Sequence, residues 1–428
     1  VTKGHIEIVI RAGHLDGAGG KGTPFSIEHS ATGALRIHRS RLNDLPGISA
    51  RARLQRGQSP DSTHVAIDVN EGPLLGATAW ADNYGNYSTG SVEANIAAQL
   101  NDPAHIGDQL TAGATHSQGM DLDRLGYSAP LTSSGLRLGL SASTMQYRVV
   151  NGLGKDAGLK GESTTWGAKL SYPIIRSRRL NLSASGGYHH KRLKDRSSVG
   201  TLDDKRLDVW DAALSGNALD TLGGGGLTHW SLSVNAGHVD LSHDAQSAQQ
   251  DAAGYRTAGD YTTLDYSLSR LQRLPGAFTL YASLAGQSAD KNLDSSAQFI
   301  LGGPYGIRAY PVGEASGDAG WLTNLELRYD LPGATALGQW QLVTFYDAGQ
   351  ITLHHDTRNL PISTATGKNS YGLAGWGVGV SLRQGQRYRV ALTWSGTLAS
   401  NPGRSVQGKN VDNHADNSRL WLQALVRF

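Results

Sequence analysis

The 428-residue chain has no cysteine, which removes disulfide frameworks, thiolate metal sites and cysteine nucleophiles together. Charge is scarce as well, at 18% of residues, and nearly balanced: 39 basic against 36 acidic side chains leave a formal charge of +3. With the basic residues dispersed, that balance gives no footprint for a nucleic-acid partner. Nowhere do the ~18 uncharged apolar residues of a spanning helix follow one another, so the sequence excludes a protein that crosses a membrane with helices. No secretory signal is present; the chain opens at Val1-Thr2-Lys3 inside a strand-like run, which reads as a mature or trimmed product.

What the chain does have is 55 glycines, 16 tyrosines, 9 tryptophans and a hydrophobic rhythm of period two. Leu420, Leu422, Ala424, Val426 and Phe428 fall on one face of the last segment, with Gln423 and Arg427 on the other. Tyr388, Val390, Leu392 and Trp394 alternate with Arg387, Arg389, Ala391 and Thr393. Trp321, Leu325, Leu327, Tyr329 and Leu331 alternate with Asn324, Glu326, Arg328 and Asp330. Sixteen such segments follow residue 73, near 74–83, 90–101, 107–118, 122–130, 136–149, 160–172, 180–193, 204–216, 227–240, 257–271, 277–289, 320–331, 338–350, 370–383, 386–399 and 417–428. An even number, with many segments of about ten residues or more, suits a transmembrane barrel of antiparallel strands.

The connections alternate in character. Thr132-Ser133-Ser134-Gly135, Arg176-Ser177-Arg178-Arg179, Pro275-Gly276 and Gln384-Gly385-Gln386 are tight turns, whereas 241–256, 290–319, 351–369 and 400–416 are long and polar. Short turns on one side and long loops on the other are the outer-membrane arrangement. In a bilayer every backbone group needs a partner, so the sheet must close, with one face to lipid and the other to a wet lumen. Trp80, Tyr147, Trp230, Trp340, Trp376 and Trp394, near strand ends, are expected at the interfacial girdles. A soluble β-sandwich or propeller is the other architecture that such alternation permits.

Residues 1–72 read differently. His5 to Ile10 is a strand, a helix is expected between Pro24 and Leu45 from Leu35, His38, Leu42 and Leu45, and strands follow near 49–56 and 63–70. This makes a small α+β domain whose chain runs into the first membrane strand. It is therefore expected on the side of the short turns, in the periplasm.

Leu42-Asn43-Asp44-Leu45-Pro46-Gly47-Ile48 and Ala52-Arg53-Leu54-Gln55-Arg56-Gly57 look like the end of a polypeptide-transport-associated (POTRA) domain. With Ala81-Asp82-Asn83-Tyr84-Gly85-Asn86-Tyr87-Ser88-Thr89-Gly90, Gly126-Tyr127-Ser128-Ala129-Pro130-Leu131, Leu301 to Tyr310 and Gly317-Asp318-Ala319-Gly320, the chain resembles the outer-membrane transporters of two-partner secretion systems. These are the haemolysin-activator and filamentous-haemagglutinin type, contact-dependent inhibition transporters included, within the superfamily of the barrel-assembly machinery. The resemblance covers essentially the whole chain. Family members also carry an N-terminal plug helix and two POTRA domains; neither the helix nor a complete first POTRA is visible, and the Gly-rich stretch 13–22 departs from the POTRA pattern.

The resemblance implies that the loop after the eleventh strand, 290–319, folds back into the pore, with Ile307, Arg308, Ala309 and Tyr310 at its tip. Arg308 inherits the role of an arginine held by an acidic residue on the inner wall. Asp347, in Phe345-Tyr346-Asp347 on the thirteenth strand, matches that partner, and Glu326, inward by parity on the twelfth, is the alternative. The family's glycine position is Ala309 here, and alanine does not take positive φ cheaply.

Other constellations are weaker. Adjacent histidines, His189-His190 and His354-His355, point to opposite faces of a strand and do not chelate easily. Gly152-Leu153-Gly154-Lys155 and Gly223 to Gly226 lack Walker spacing and read as turns. No Gly-x-Ser-x-Gly elbow is present, and no enzyme is expected. Arg36, Arg39, Arg41, Arg51, Arg53 and Arg56 either collect an acidic client or form a solvated face.

The expected protein is thus a 16-stranded outer-membrane β-barrel behind a periplasmic POTRA-like domain, with boundaries at 1–72 and 73–428. As the resemblance implies, it exports one large unfolded exoprotein with an N-terminal β-helical secretion domain, without nucleotide, metal or other cofactor. Outer-membrane lipid and the barrel-assembly machinery, which would receive the chain through its terminal Phe428, are the other partners, and the protein is expected to be a monomer that binds no nucleic acid. A barrel-assembly factor or a passive porin is the alternative.

Overall fold

The computed structural model describes residues 5–11, 14–16, 27–29, 35–37, 45–56 and 63–428, apart from Leu153 and Asn359. Toward the N-terminus lie β1 (His5–Arg11), β2 (His14–Asp16), β3 (Ile27–His29), β4 (Leu35–Ile37), β5 (Ile48–Arg56) and β6 (Thr63–Glu71). Four of these form a sheet in the order β2-β1-β6-β5, and β3 pairs with β4. The strands expected near 5–10, 49–56 and 63–70 are therefore present. The helix expected between Pro24 and Leu45 gives way, in those of its residues that are described, to the β3/β4 pairing, with Ile27 opposite Ile37 and Glu28 opposite Arg36. Leu35-Arg36-Ile37 alternates apolar and polar, and that local period of two wins over the wider three-and-four spacing.

The rest is one closed sheet of β7 (Leu75–Asp82), β8 (Glu93–Asn101), β9 (Gln109–Ser117), β10 (Met120–Pro130), β11 (Arg137–Arg148), β12 (Lys160–Arg176), β13 (Leu180–Ser197), β14 (Gly200–Asp220), β15 (Gly226–Asp240), β16 (Gly259–Arg273), β17 (Phe278–Ala289), β20 (Ala319–Asp330), β21 (Gln339–Thr352), β22 (Ser370–Gln384), β23 (Tyr388–Thr397) and β24 (Ser418–Arg427). Two short strands, β18 (Phe299–Ile300) and β19 (Ser316–Gly317), pair inside the loop between β17 and β20. Each of the sixteen segments expected from the sequence overlaps one barrel strand. All neighbours are antiparallel, and β24 closes on β7 with Gln423 to Arg427 opposite Asp82 to Thr78. Closure answers the backbone requirement of a membrane wall and rules out a sandwich or propeller.

The outward face carries the apolar half of the rhythm. Leu325, Leu342, Val378, Leu392, Leu420 and Leu422 are all exposed on the outside of the wall. Trp376 and Trp394 meet edge to face there, 5.4 Å between ring centres. So large a continuous apolar surface would be untenable in water and belongs in hydrocarbon.

Two of the expected girdle aromatics face the lumen instead. Trp80 lies opposite Leu425, between the inward pairs Asp82/Gln423 and Thr78/Arg427. The outward positions of β7 are Leu75, Ala77, Ala79 and Ala81, so Trp80 shares its face with Thr78 and Asp82. Tyr147 likewise turns inward, and its hydroxyl donates to Asp195 Oδ1 at 2.7 Å.

Candidate functional site: a loop anchored inside the barrel

The long connection between β17 and β20 is gathered at its base, because those two strands pair directly across it. Asp318, fully buried, ties that base: its Oδ1 accepts from Leu293 N–H (3.1 Å) and Gln298 Nε2 (3.1 Å), and its Oδ2 from His355 N–H (2.9 Å). Buried Lys205 on β14 holds Asp294 at 2.6 Å nearby.

From this base the chain reaches its tip at Ile307 to Tyr310, where Tyr310 N–H donates to Ile307 O at 3.1 Å. Gly306 precedes the turn, and a β-carbon there would collide with the carbonyl of Leu301. Ala309, at the family's glycine position, is not among the residues of positive φ, so the tip turns without the strain alanine would carry. Leu301, Ile307, Ala309 and Tyr310 pack with Leu322, Ile351, Tyr371 and Leu373 of the wall into one buried cluster. The loop therefore brings its own apolar side chains to a dry seat on an otherwise polar inner wall. Burial of this kind stabilises by about 1.5–3 kcal/mol for each large side chain.

Arg308 leaves that seat toward two carboxylates. Its Nε donates to Asp347 Oδ2 at 2.9 Å and its Nη2 to Asp347 Oδ1 at 2.8 Å, a bidentate fork, while its main-chain N–H donates to Oδ2 at 3.1 Å. Its Nη1 donates to Glu326 Oε1 at 2.7 Å. Both acids named from the sequence thus meet the arginine at once. Asp347 is fully buried and also accepts from Asn324 Nδ2 at 2.9 Å, while the second oxygen of Glu326 accepts from Arg328. The guanidinium carbon lies 3.4 Å from the centre of the Phe345 ring.

The backbone of the tip is held too. The carbonyl of Arg308 accepts from Ser395 Oγ at 2.6 Å and from Trp421 Nε1 at 2.8 Å. Tyr84, from the first hairpin loop, stands edge-on to both Tyr305 (5.6 Å) and Trp421 (5.8 Å), and burial pushes its hydroxyl pKa up to about 12. The Tyr84 run and the Tyr305 run, more than half the chain apart in sequence, meet here. Glu314, buried farther along the loop, accepts from Asn401 Nδ2 (2.6 Å) and Val411 N–H (2.7 Å) of the last long loop.

The family resemblance pointed to Arg308 with Asp347 or Glu326; Asn324, Phe345, Ser395, Trp421 and Tyr84 were not assigned to this cluster. Ser395 and Trp421 could have been found by parity, being inward on adjacent strands at the level of Asp347. The N-terminal arginines lie apart in sequence. Arg36 is on β4, Arg51 and Arg53 are on β5, and Arg39 and Arg41 lie outside the described residues. Of the histidine pairs, His189 and His190 lie against separate acids, Asp211 (3.1 Å) and Asp208 (2.8 Å).

The family model described as haemolysin secretion/activation protein ShlB/FhaC/HecB matches residues 61–382. The heme/hemopexin transporter protein HuxB of Haemophilus influenzae is 28% identical over 394 residues, 90% of this chain and 66% of that protein. The chain thus spans about two thirds of the length of this curated relative. Among solved structures, CdiB from Escherichia coli superposes with a TM-score of 0.73 at 18% identity, covering 91% of this chain and 69% of CdiB. CdiB from Acinetobacter baumannii gives 0.69 at 17% identity, over 92% and 69% of the two chains. BamA from Haemophilus ducreyi lacking POTRA domains 1–3 gives 0.57 at 12% identity, over 91% and 77%.

Proposed function

The chain belongs to the haemolysin secretion/activation protein family ShlB/FhaC/HecB, and from that premise we propose that it exports a large unfolded exoprotein from the periplasm to the cell surface. It is an outer-membrane β-barrel, and the strands before Leu75 form the periplasmic POTRA-like domain of this reading. The observation that carries the proposal is the loop seated in the lumen on Arg308, Asp347 and Glu326.

In this reading, extended segments of the client first add to an edge of the POTRA sheet through main-chain hydrogen bonds. The client then crosses the polar lumen as an extended chain and folds outside, where the free energy of folding biases motion outward. No nucleotide and no metal enters. In this reading the loop holds the conducting wall in shape from within, and the protein works as a monomer.

The likeness to BamA keeps one other reading in view, a barrel-assembly factor. Deleting the gene separates the two. An exporter loses a single exoprotein from the surface and medium, with other outer-membrane barrels at their normal abundance. A general loss of barrels from the outer membrane would overturn the export reading.

A further inference from the structure

Below the loop anchor, at the end of the barrel where the short turns lie, a cavity of about 330 Å³ opens between β20, β21, β22, β23 and β24. Arg383, Arg389 and Arg427 line it with Gln341, Ser381 and Gln423. No carboxylate is among its lining residues. Arg383 and Arg389 are direct cross-strand partners on the lumen face, an arrangement in which like charges repel. The strand beside them places Arg427 on the same face, two residues from Leu425, which is the partner of Arg389.

The acids on the adjoining lumen face of β20 are already bound. Glu326 is held by Arg308 and Arg328, and Asp330 Oδ1 accepts from Gln341 Nε2 at 2.9 Å. Among the described residues, none of the three arginines makes an ion pair. Beside Arg328, which lines the same hollow and is held by Glu326, these three guanidinium groups thus stand exposed, two of them opposed and none in an ion pair. Such a wall stores repulsion that an arriving anion relieves. Gln341, Ser381 and Gln423 add amide and hydroxyl groups able to bond a main chain.

We propose that Arg383, Arg389 and Arg427 form a docking site for an acidic segment of an extended polypeptide, whose Asp or Glu carboxylates are drawn by the three guanidinium charges. This deepens the export reading and rests on it for the identity of the ligand, the exported chain at the mouth of its path. The site selects carboxylate-rich stretches at the mouth without a fixed sequence, and because it is wet and exposed its hold is weak enough to release them.

The test is fluorescence anisotropy of a labelled hexaglutamate peptide titrated with the full-length, detergent-solubilised protein, with labelled hexaglutamine as the control. Wild type should bind hexaglutamate saturably, more weakly as salt rises. The triple variant R383Q/R389Q/R427Q should lose about tenfold or more in affinity, and R383K/R389K/R427K should stay within about threefold of wild type, because charge rather than fork geometry dominates at an exposed site. Heat-modifiable migration confirms that each barrel is folded. Equal hexaglutamate binding by the triple Gln variant, or equal binding of hexaglutamine by wild type, would overturn the proposal. A wild-type protein that binds the peptide through these arginines yet secretes nothing would sink the export reading and leave the anion site standing.

Discussion

A β-carbon built on Gly375 of β22 would stand 2.5 Å from the β-carbon of Ala309 at the loop tip, so the wall leaves out a side chain where the loop brings one. The methyl of Ala309 occupies the space that Gly375, lacking a side chain, leaves free. Gly375→Ala should therefore push the tip out of its seat. Overpacking of this kind costs about 1–3 kcal/mol. Protease cleavage within 290–319 should rise in Gly375→Ala, and the double variant carrying Ala309→Gly should restore protection. Cleavage unchanged in the single variant, or no rescue in the double, would show that the contact does not set the loop.

Much of this architecture was readable in advance, and the misses have definite causes. Leu325 and Leu327 against Asn324 and Glu326 already give the two faces of β20, and the same alternation locates every barrel strand. Trp80 and Tyr147 were misplaced because nearness to a strand end was weighed above parity, which puts Trp80 with Thr78 and Asp82. Leu322, Ile351, Tyr371 and Leu373 are apolar on the wet face, a breach of alternation that makes sense only once a loop covers them. The encounter of Tyr84 with Tyr305 and Trp421 leaves no local trace in sequence. At Leu35-Arg36-Ile37 a short alternation was outvoted by a longer helical spacing, and the structure reverses that vote.

Asn83 closes the seam between the first and last barrel strands with its side chain. Its Nδ2 donates to Leu420 O at 2.8 Å and its Oδ1 accepts from Leu422 N–H at 2.8 Å, extending a ladder of five paired residues. Asn83→Ala should weaken that end of the seam by about 1–3 kcal/mol, the usual effect of orphaning such groups. The temperature at which the folded band converts to the unfolded one in electrophoresis should fall. An unshifted conversion temperature would show that the side chain does not hold the seam.

Burial pushes the Glu314 carboxyl above its ordinary range; Asp412 adds to this, while the Val411 N–H, Asn401 and Arg419 pull the other way. Between the ordinary glutamate value and the raised folded value, the folded state therefore holds a proton that the unfolded state has released. Its contribution is complete below the ordinary glutamate value of about 4.3 and is lost as pH rises through the raised folded value. The contact between residues 290–319 and the 398–417 loop should accordingly be tighter in mild acid than at alkaline pH. Limited proteolysis of wild type should show protection that declines with rising pH, and Glu314→Gln should flatten the profile. A wild-type profile already flat would contradict this assignment.

The central claim is that the Arg308 clasp makes an outer-membrane barrel competent for export. Arg308→Ala leaves Asp347 buried without its cation, a loss of about 3–5 kcal/mol for a broken buried pair, against which Asn324 is a partial substitute. Arg308→Lys keeps the charge but not the fork, and should fall between the alanine variant and wild type. The decisive measurement is the amount of exoprotein released per barrel at the cell surface, compared at matched surface abundance. The account predicts a several-fold drop for Arg308→Ala with normal barrel assembly, and secretion equal to wild type would contradict it.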